Sequence, residues 1–187
     1  MTMPTFTDGV VVHQTSLNAL STGVNNLNTV VTGAVAPRAY VPLLRLKRTA
    51  AQSIPNTTNT AVSWDTIDVN NDNMFTLVSP TQITIQTAGS YALDVEFGWA
   101  ANNTGGRTIW GTKNSTSTAN AVCIDEQISA TMATGRGNTM HIATVLPNCV
   151  VGDTFFAIVY QASGGALNSV TTTAIPVSSL SMWRIGP

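Results

Sequence analysis

Charge is scarce in this 187-residue chain, in which only 9% of the residues are Asp, Glu, Lys or Arg. Typical soluble domains contain roughly 25%. Hydrophobic residues make up 43%, and a chain with so little charge tends to self-associate unless partner subunits cover its apolar surface. We therefore expect an obligate oligomer. The net charge is −1, whereas general nucleic-acid binders carry a strong positive charge, so we expect no nucleic-acid partner.

Long apolar runs are absent as well. No stretch reaches the roughly 18 apolar residues of a membrane span, so we expect no membrane partner. Met1 to Gly9 contain no cationic segment followed by an apolar one, which predicts synthesis in the cytoplasm without a signal peptide. The chain has two cysteines, Cys123 and Cys149, both in apolar strand-like sequence. Buried thiols and a disulfide are both compatible with that setting.

Groups for catalysis are few. The two histidines are His13 and His141, and His141 has no acidic or thiol neighbour in the sequence. Asp94 and Glu96 share one strand face about 7 Å apart, which is compatible with a glycosidase pair. A salt bridge to Arg107 or a solvated face explains these two carboxylates equally well. The chain has no CxxC or HExxH motif and no glycine-rich phosphate loop before a helix, so we predict no enzyme, no catalytic residue and no cofactor.

One acidic segment is a candidate for a cation. Asp65, Asp68 and Asp72 lie there together with three asparagines, and such oxygen ligands suit Ca²⁺. The segment lacks the glycine and the final glutamate of an EF-hand loop, so Asx-turn chemistry is the favoured interpretation. We predict a loop without a resident metal, with calcium as the open alternative.

Helical periodicity occurs in one segment. Its apolar residues follow the a/d spacing of a heptad and form a stalk seam of Leu17, Leu20, Val24, Leu27 and Val31. About 17 residues give a rod of roughly 25 Å, which is too short to be stable alone. It must pack on copies of itself or on its own head. Valine at a with leucine at d favours two strands, so the head must determine any trimer. We predict that residues 1–36 form an N-terminal anchor with a short α-helical stalk.

A basic segment follows the helix. Four of the eight cations fall within eleven positions, namely Arg38, Arg45, Lys47 and Arg48. A solvated collar explains them, and so does docking to an acidic partner surface.

Strand patterns fill the rest of the chain. From Tyr91 to Trp99, apolar and polar residues alternate strictly over nine positions. About ten such strands with no helix between them exclude a parallel α/β sheet. We predict an all-β antiparallel sandwich or jelly roll for residues 37–187. The predicted strands are Leu43–Thr49, Ala61–Trp64, Gln82–Gln86, Tyr91–Trp99, Arg107–Lys113, Val122–Ile128, Thr139–Leu146, Thr154–Gln161, Ser169–Thr173 and Ser178–Ile185.

Several of these stretches resemble a known family. Residues 80–91, with their Ala-Gly-Ser-Tyr corner, together with 95–107 and 179–185, resemble the C1q/TNF-like jelly rolls of bacteriophage structural proteins. The opening residues 4–10, followed by 16–20, are similar to the start of small tail or head-fibre proteins of phages that infect actinobacteria.

The resemblance implies a homotrimer around a threefold axis, with aromatics of the inner sheet at the axis and variable loops at the distal end. The candidates for the core or the trimer axis are Tyr91, Phe97, Trp99, Phe155, Phe156 and Tyr160, and the sequence does not divide the two sets.

A virion-surface protein is the function that the resemblance implies. We expect a capsid decoration protein or head fibre whose N-terminus binds phage capsid proteins. The alternative is a minor tail or baseplate protein whose head loops bind a host-surface glycan. A further alternative, outside phages, is a binding module with a C1q-like head.

Overall fold

The computed structural model describes residues 41–128, 138–170 and 178–187. The predicted stalk helix, His13, Arg38 and the predicted boundary after residue 36 lie outside these ranges. The described residues form twelve strands and one short 3₁₀ turn, Thr118–Asn120. The strands are β1 (Leu43–Lys47), β2 (Ser53–Ile54), β3 (Thr60–Ala61), β4 (Thr66–Asn70), β5 (Ile83–Thr84), β6 (Gly89–Gly98), β7 (Gly106–Lys113), β8 (Ala121–Ile128), β9 (Thr139–Cys149), β10 (Thr154–Gln161), β11 (Leu167–Asn168) and β12 (Ser179–Gly186).

Two antiparallel sheets make up the head. The five-stranded sheet has the order β4-β1-β12-β6-β9, and the four-stranded sheet has the order β3-β10-β7-β8, with β5 also pairing with β10. A small third sheet joins β11 to β2. The predicted all-β antiparallel sandwich is confirmed. Within the described ranges, no helix is long and apolar enough to cross a membrane.

The core consists of the inward-facing side chains of both sheets. Strand β6 contributes Tyr91, Leu93, Val95 and Phe97, each at most 2% exposed, while its intervening residues are half-buried. This burial has the period of two that a strand with one covered face requires. Phe97 also contacts Trp99 edge-on, with ring centroids 4.8 Å apart, a geometry that adds about 1 kcal/mol to burial.

The acidic segment differs from its prediction. Thr66–Asn70 form strand β4, which pairs with β1, so the prediction of one continuous loop from Asp65 to Asp72 was wrong. Ile67 and Val69 are β-branched residues at alternate positions, and this short pattern is obscured by the polar residues around it. Another short strand, β2, was not predicted either. Of the predicted strand Ala61–Trp64, only Ala61 is extended in a ladder, within β3.

Candidate functional site

Outward side chains of the five-stranded sheet form three cross-strand rows, which we call the three-row face. The strand registers place one residue from each of β1, β12, β6 and β9 in every row. The first row is Leu43, Trp183, Ala92 and Val145; the second is Arg45, Ser181, Asp94 and Ala143; the third is Lys47, Ser179, Glu96 and His141.

The first row is apolar and reaches solvent. Trp183 is 37% exposed and Val145 is 53% exposed. Ile185 lies two residues beyond Trp183 on the same strand and is also exposed. Large apolar side chains that adjoin one another on a surface mark interaction sites more often than scattered ones do. The row therefore offers a contiguous contact surface across the sheet.

The β1 end of the three-row face is basic. Asp68 of β4 forms two ion pairs, in which its Oδ2 lies 3.5 Å from Arg45 Nε and 2.5 Å from Lys47 Nζ. Two cations with one carboxylate leave this end with a net positive charge. Arg48 belongs elsewhere, because its side chain is buried and donates to the Ser63 carbonyl. Burial lowers the pKa of Arg48, so the structure divides the predicted basic segment between the surface and the interior.

The carboxylates of the face lie on β6, next to the strand at the opposite end. His141 Nε2 lies 2.9 Å from Asp94 Oδ2, and Glu96 is the direct cross-strand partner of His141. The His141 backbone N–H also donates to Asp125 Oδ2 at 3.4 Å. His141 therefore has acidic neighbours in space, although it has none in sequence. Asp94 and Glu96 therefore share His141 as a neighbour, through the contact with Asp94 and the cross-strand pairing with Glu96.

Arg107 forms no salt bridge with either of those carboxylates, so of the two explanations left open by the sequence the salt bridge is excluded. It lies on β7 in the other sheet and is 1% exposed. Its Nη1 donates to the carbonyls of Thr104 at 3.0 Å and Gly106 at 2.9 Å. The guanidinium carbon lies 5.7 Å from the Trp99 ring centroid, a cation–π distance. Burial lowers the pKa of Arg107, and this side chain is part of the head's interior.

The six candidate aromatics separate into two groups. Four belong to the hydrophobic core between the sheets, and they are Tyr91, Phe97, Trp99 and Phe155. Phe156 and Tyr160 alternate with the core-facing residues of β10 and so lie on the far side of the four-stranded sheet. There Tyr160 contacts Trp110 edge-on, with centroids 6.4 Å apart. None of the six side chains lies on the three-row face.

Tyr91 has a structural role at the start of β6. Its hydroxyl donates to the Thr87 carbonyl at 2.6 Å, and burial raises the pKa of Tyr91 to about 12. The phenol therefore stays neutral and ties the corner before β6 to the core.

The three carboxylates of the acidic segment do not converge on one point. Asp65 accepts from the backbone N–H groups of Thr49 and Ala50, both at 2.8 Å. Asp68 forms the ion pairs described above, and Asp72 accepts from the Thr87 hydroxyl at 3.3 Å. Among the described residues, no group of three or more His, Cys, Asp or Glu side chains could hold a metal ion. Asp65 binds main-chain groups 15 and 16 residues away, so these bonds are not the local Asx turn that the sequence favoured.

The two cysteines are free thiols. Cys149 is buried beside an ion pair in which Lys113 Nζ lies 2.8 Å from Asp153 Oδ2. The hydrogen bond from Lys113 holds the pKa of Asp153 at about 2. Burial raises the pKa of Cys149, which disfavours the thiolate that nucleophilic chemistry needs.

A cleft of about 200 Å³ lies beside the segment that joins β4 to β5. Six of its lining residues have amide or hydroxyl side chains, and they are Asn73, Thr76, Ser79, Gln82, Thr84 and Gln86. Met74 and Phe75 supply the apolar part of the lining, and none of the lining residues is charged. The sequence gives no signal for this cleft, because its residues come from β5 and the segments on either side of β5 and form no motif.

Comparisons with known proteins bear on the fold. No protein-family model matches the chain, and a search of curated proteins finds no significant match. Crystal structures of murine APRIL at pH 8.0, 5.0 and 8.5 align with TM-scores of 0.57, 0.56 and 0.53. The alignments cover 76–78% of this chain and 98–99% of the APRIL chains, at 11–12% sequence identity. The predicted C1q/TNF-like jelly roll is therefore confirmed, and identity this low establishes the fold alone.

Proposed function

We propose that this chain is a non-enzymatic structural protein on the surface of a bacteriophage particle, where its jelly-roll head assembles into a homotrimer. The three-row face is the observation that carries the proposal. An exposed apolar row beside two rows that each carry a cation on β1 and a carboxylate on β6 is suited to burial against another copy of the same chain. A chain with 9% charged residues has few other means of keeping such a surface soluble.

The charge distribution favours a closed ring. A threefold ring joins two different patches of neighbouring copies, and the three-row face has its cations on β1 and its carboxylates on β6. Placing the Lys47 end of one copy near the Glu96 end of the next would make the contact electrostatically complementary. The apolar row, which runs between the two ends, would supply most of the affinity.

Capsid decoration, as a head fibre or cementing trimer, is the position that we propose on the particle. The resemblance of residues 4–10 and 16–20 to the start of phage head-fibre and tail proteins supports a place on the particle. In this arrangement residues 1–36 bind the capsid proteins, and the heads project from the particle surface. The proposal involves neither nucleic acid nor membrane.

Copy number tests this position. Quantitative mass spectrometry of purified particles should find tens to hundreds of copies per particle. A value between three and eighteen copies would match a tail or baseplate location and would contradict decoration.

A second candidate is a minor tail or baseplate protein whose head binds a host-surface glycan. The uncharged, amide-lined cleft favours it, because such a lining matches sugar hydroxyls. Purified protein should then bind host cells and compete with phage adsorption. Absence of both effects would exclude receptor binding as its role.

A further inference from the structure

The cleft beside the segment that joins β4 to β5 is called the amide cleft below. Main-chain groups of its lining residues are already hydrogen-bonded within the protein. The Thr84 N–H donates to the Met74 carbonyl at 2.8 Å, and the Gln82 N–H donates to the Ser79 carbonyl at 3.1 Å. The Met74 N–H donates to Asn70 Oδ1 at 2.8 Å. A ligand that recognises free main-chain groups, such as an extended peptide adding a strand, would find these groups taken.

Side-chain groups remain available in the cleft. Gln82 Nε2 donates to the Thr84 hydroxyl at 3.1 Å, which leaves Gln82 Oε1 as an acceptor. Asn73 and Gln86 are exposed, and neither amide has a side-chain partner within the described ranges. Each amide provides two donors and one carbonyl acceptor, so the cleft presents donors and acceptors together.

The chemistry of this lining selects a class of ligand. A pyranose ring carries hydroxyls that both donate and accept, beside C–H groups that pack on apolar surface. Amides can serve hydroxyls in either role. Met74 and Phe75 lie beneath the cleft as core residues that are 1% and 3% exposed, so they leave little apolar surface for the ring and the side-chain amides and hydroxyls supply most of the contact. The absence of charge from the lining gives no advantage to an acidic sugar or a phosphate. We propose that the amide cleft binds a neutral sugar residue of a host-surface glycan.

This inference names the site and the ligand class for the second role proposed above and rests on that role for its biological setting. The binding itself requires neither a particular place on the particle nor a trimer. A small polar site with few apolar contacts gives low affinity for a single sugar, so the cleft would rely on the multiplicity of heads for strong attachment.

Saturation-transfer NMR on the full-length protein tests the inference. The probes are glucose, galactose, mannose and N-acetylglucosamine, with N-acetylneuraminic acid as the acidic comparison and a capped triglycine as the peptide comparison. We expect saturation transfer to at least one neutral sugar and to neither comparison compound. Transfer to no neutral sugar, or transfer to the acidic sugar or the peptide instead, would overturn the assignment.

Variants then locate the site. Gln82→Met with Gln86→Met keeps side-chain volume but removes two amides, and we expect affinity to fall roughly 10- to 30-fold, as for two lost hydrogen bonds. Asn120→Ala removes an exposed amide outside the cleft and should leave affinity unchanged. Equal affinity in the double variant would place binding elsewhere. If the double variant does not fold, the exposed Gln86→Met alone provides the test, with a smaller loss expected.

Failure here is distinguishable from failure of the proposed function. Sugar binding is measured on purified protein, whereas copy number and competition with adsorption are measured on particles and cells. A protein without sugar binding but with tens of copies per particle would retain its decoration role and lose the amide cleft.

Discussion

Trp183 is the side chain on which we expect trimer assembly to depend most. It leaves 37% of its surface exposed in a single copy, on the order of 80–90 Å² for a residue of this size. Covering that area contributes about 2 kcal/mol at each contact, which corresponds to about 30-fold in the association constant. Trp183→Ser removes this contribution, so the trimer should dissociate at protein concentrations at least about 30-fold higher than for the unchanged protein.

Sedimentation velocity over a concentration series measures the effect. The matched control is Ile124→Ser, which removes a 56% exposed apolar side chain from β8 in the other sheet. Thermal unfolding of both variants separates a loss of assembly from a loss of folding. An unchanged dissociation midpoint for Trp183→Ser, or an equal loss in the Ile124→Ser control, would refute the assignment of the interface to the three-row face.

Three further predictions concern the head and the stalk. Asp153 has a folded-state pKa of about 2, below its ordinary value of 3.8. It therefore stabilises the head above pH 3.8 and loses this effect as pH falls toward 2. Asp153→Asn should lower the free energy of unfolding by about 1 kcal/mol near pH 6 after allowance for solvent screening. Urea unfolding should show this difference between the two proteins shrinking as pH falls from 3.8 toward 2. A difference that stays constant over that range would contradict the ion pair as its cause. Gly111→Ala would place Cβ 2.6 Å from Cys123 Sγ and should lower the free energy of unfolding by about 1–3 kcal/mol. This loss should be smaller in a Cys123→Ala background. Strict additivity of the two substitutions in a double-mutant cycle would contradict the predicted clash. Leu20→Asp with Leu27→Asp should weaken assembly or particle incorporation while the head still folds; unchanged trimers and incorporation would contradict a role for the stalk seam.

Much of the fold could be predicted from local patterns. Strand β10 has the bounds that the sequence predicted, Thr154–Gln161, because its apolar run ends at turn residues on both sides. Strand β6 was recognisable because apolar and polar residues alternate from Tyr91 to Trp99, and from Tyr91 to Phe97 the structure buries the apolar set and half-buries the other. In both strands the signal lies within one segment, so it does not depend on which strand becomes the neighbour.

The contacts of the candidate site could not be predicted in the same way. His141 and Asp94 are 47 residues apart and meet only because β9 pairs with β6 in one register. In the sequence Arg107 was a candidate partner for Asp94 and Glu96, but its strand position directs it inward. There two backbone carbonyls accept its hydrogen bonds and its guanidinium lies over Trp99. Such pairings depend on the register of the whole sheet, which one segment does not encode.

The sequence also left Phe155 and Phe156 undivided between core and trimer axis. They are adjacent on β10, so the pleat sends them to opposite sides of the four-stranded sheet. Only Phe155 belongs to the core cluster. The alternation was visible in the sequence, but the side that faces the second sheet was not.

Self-assembly of the head is tested most directly by the mass of the purified full-length protein in solution. Native mass spectrometry or light scattering should give about 59 kDa, which is three copies of the 19.6 kDa chain. A mass of 19.6 kDa at micromolar concentration would show that the three-row face does not hold copies together and would contradict the trimeric head.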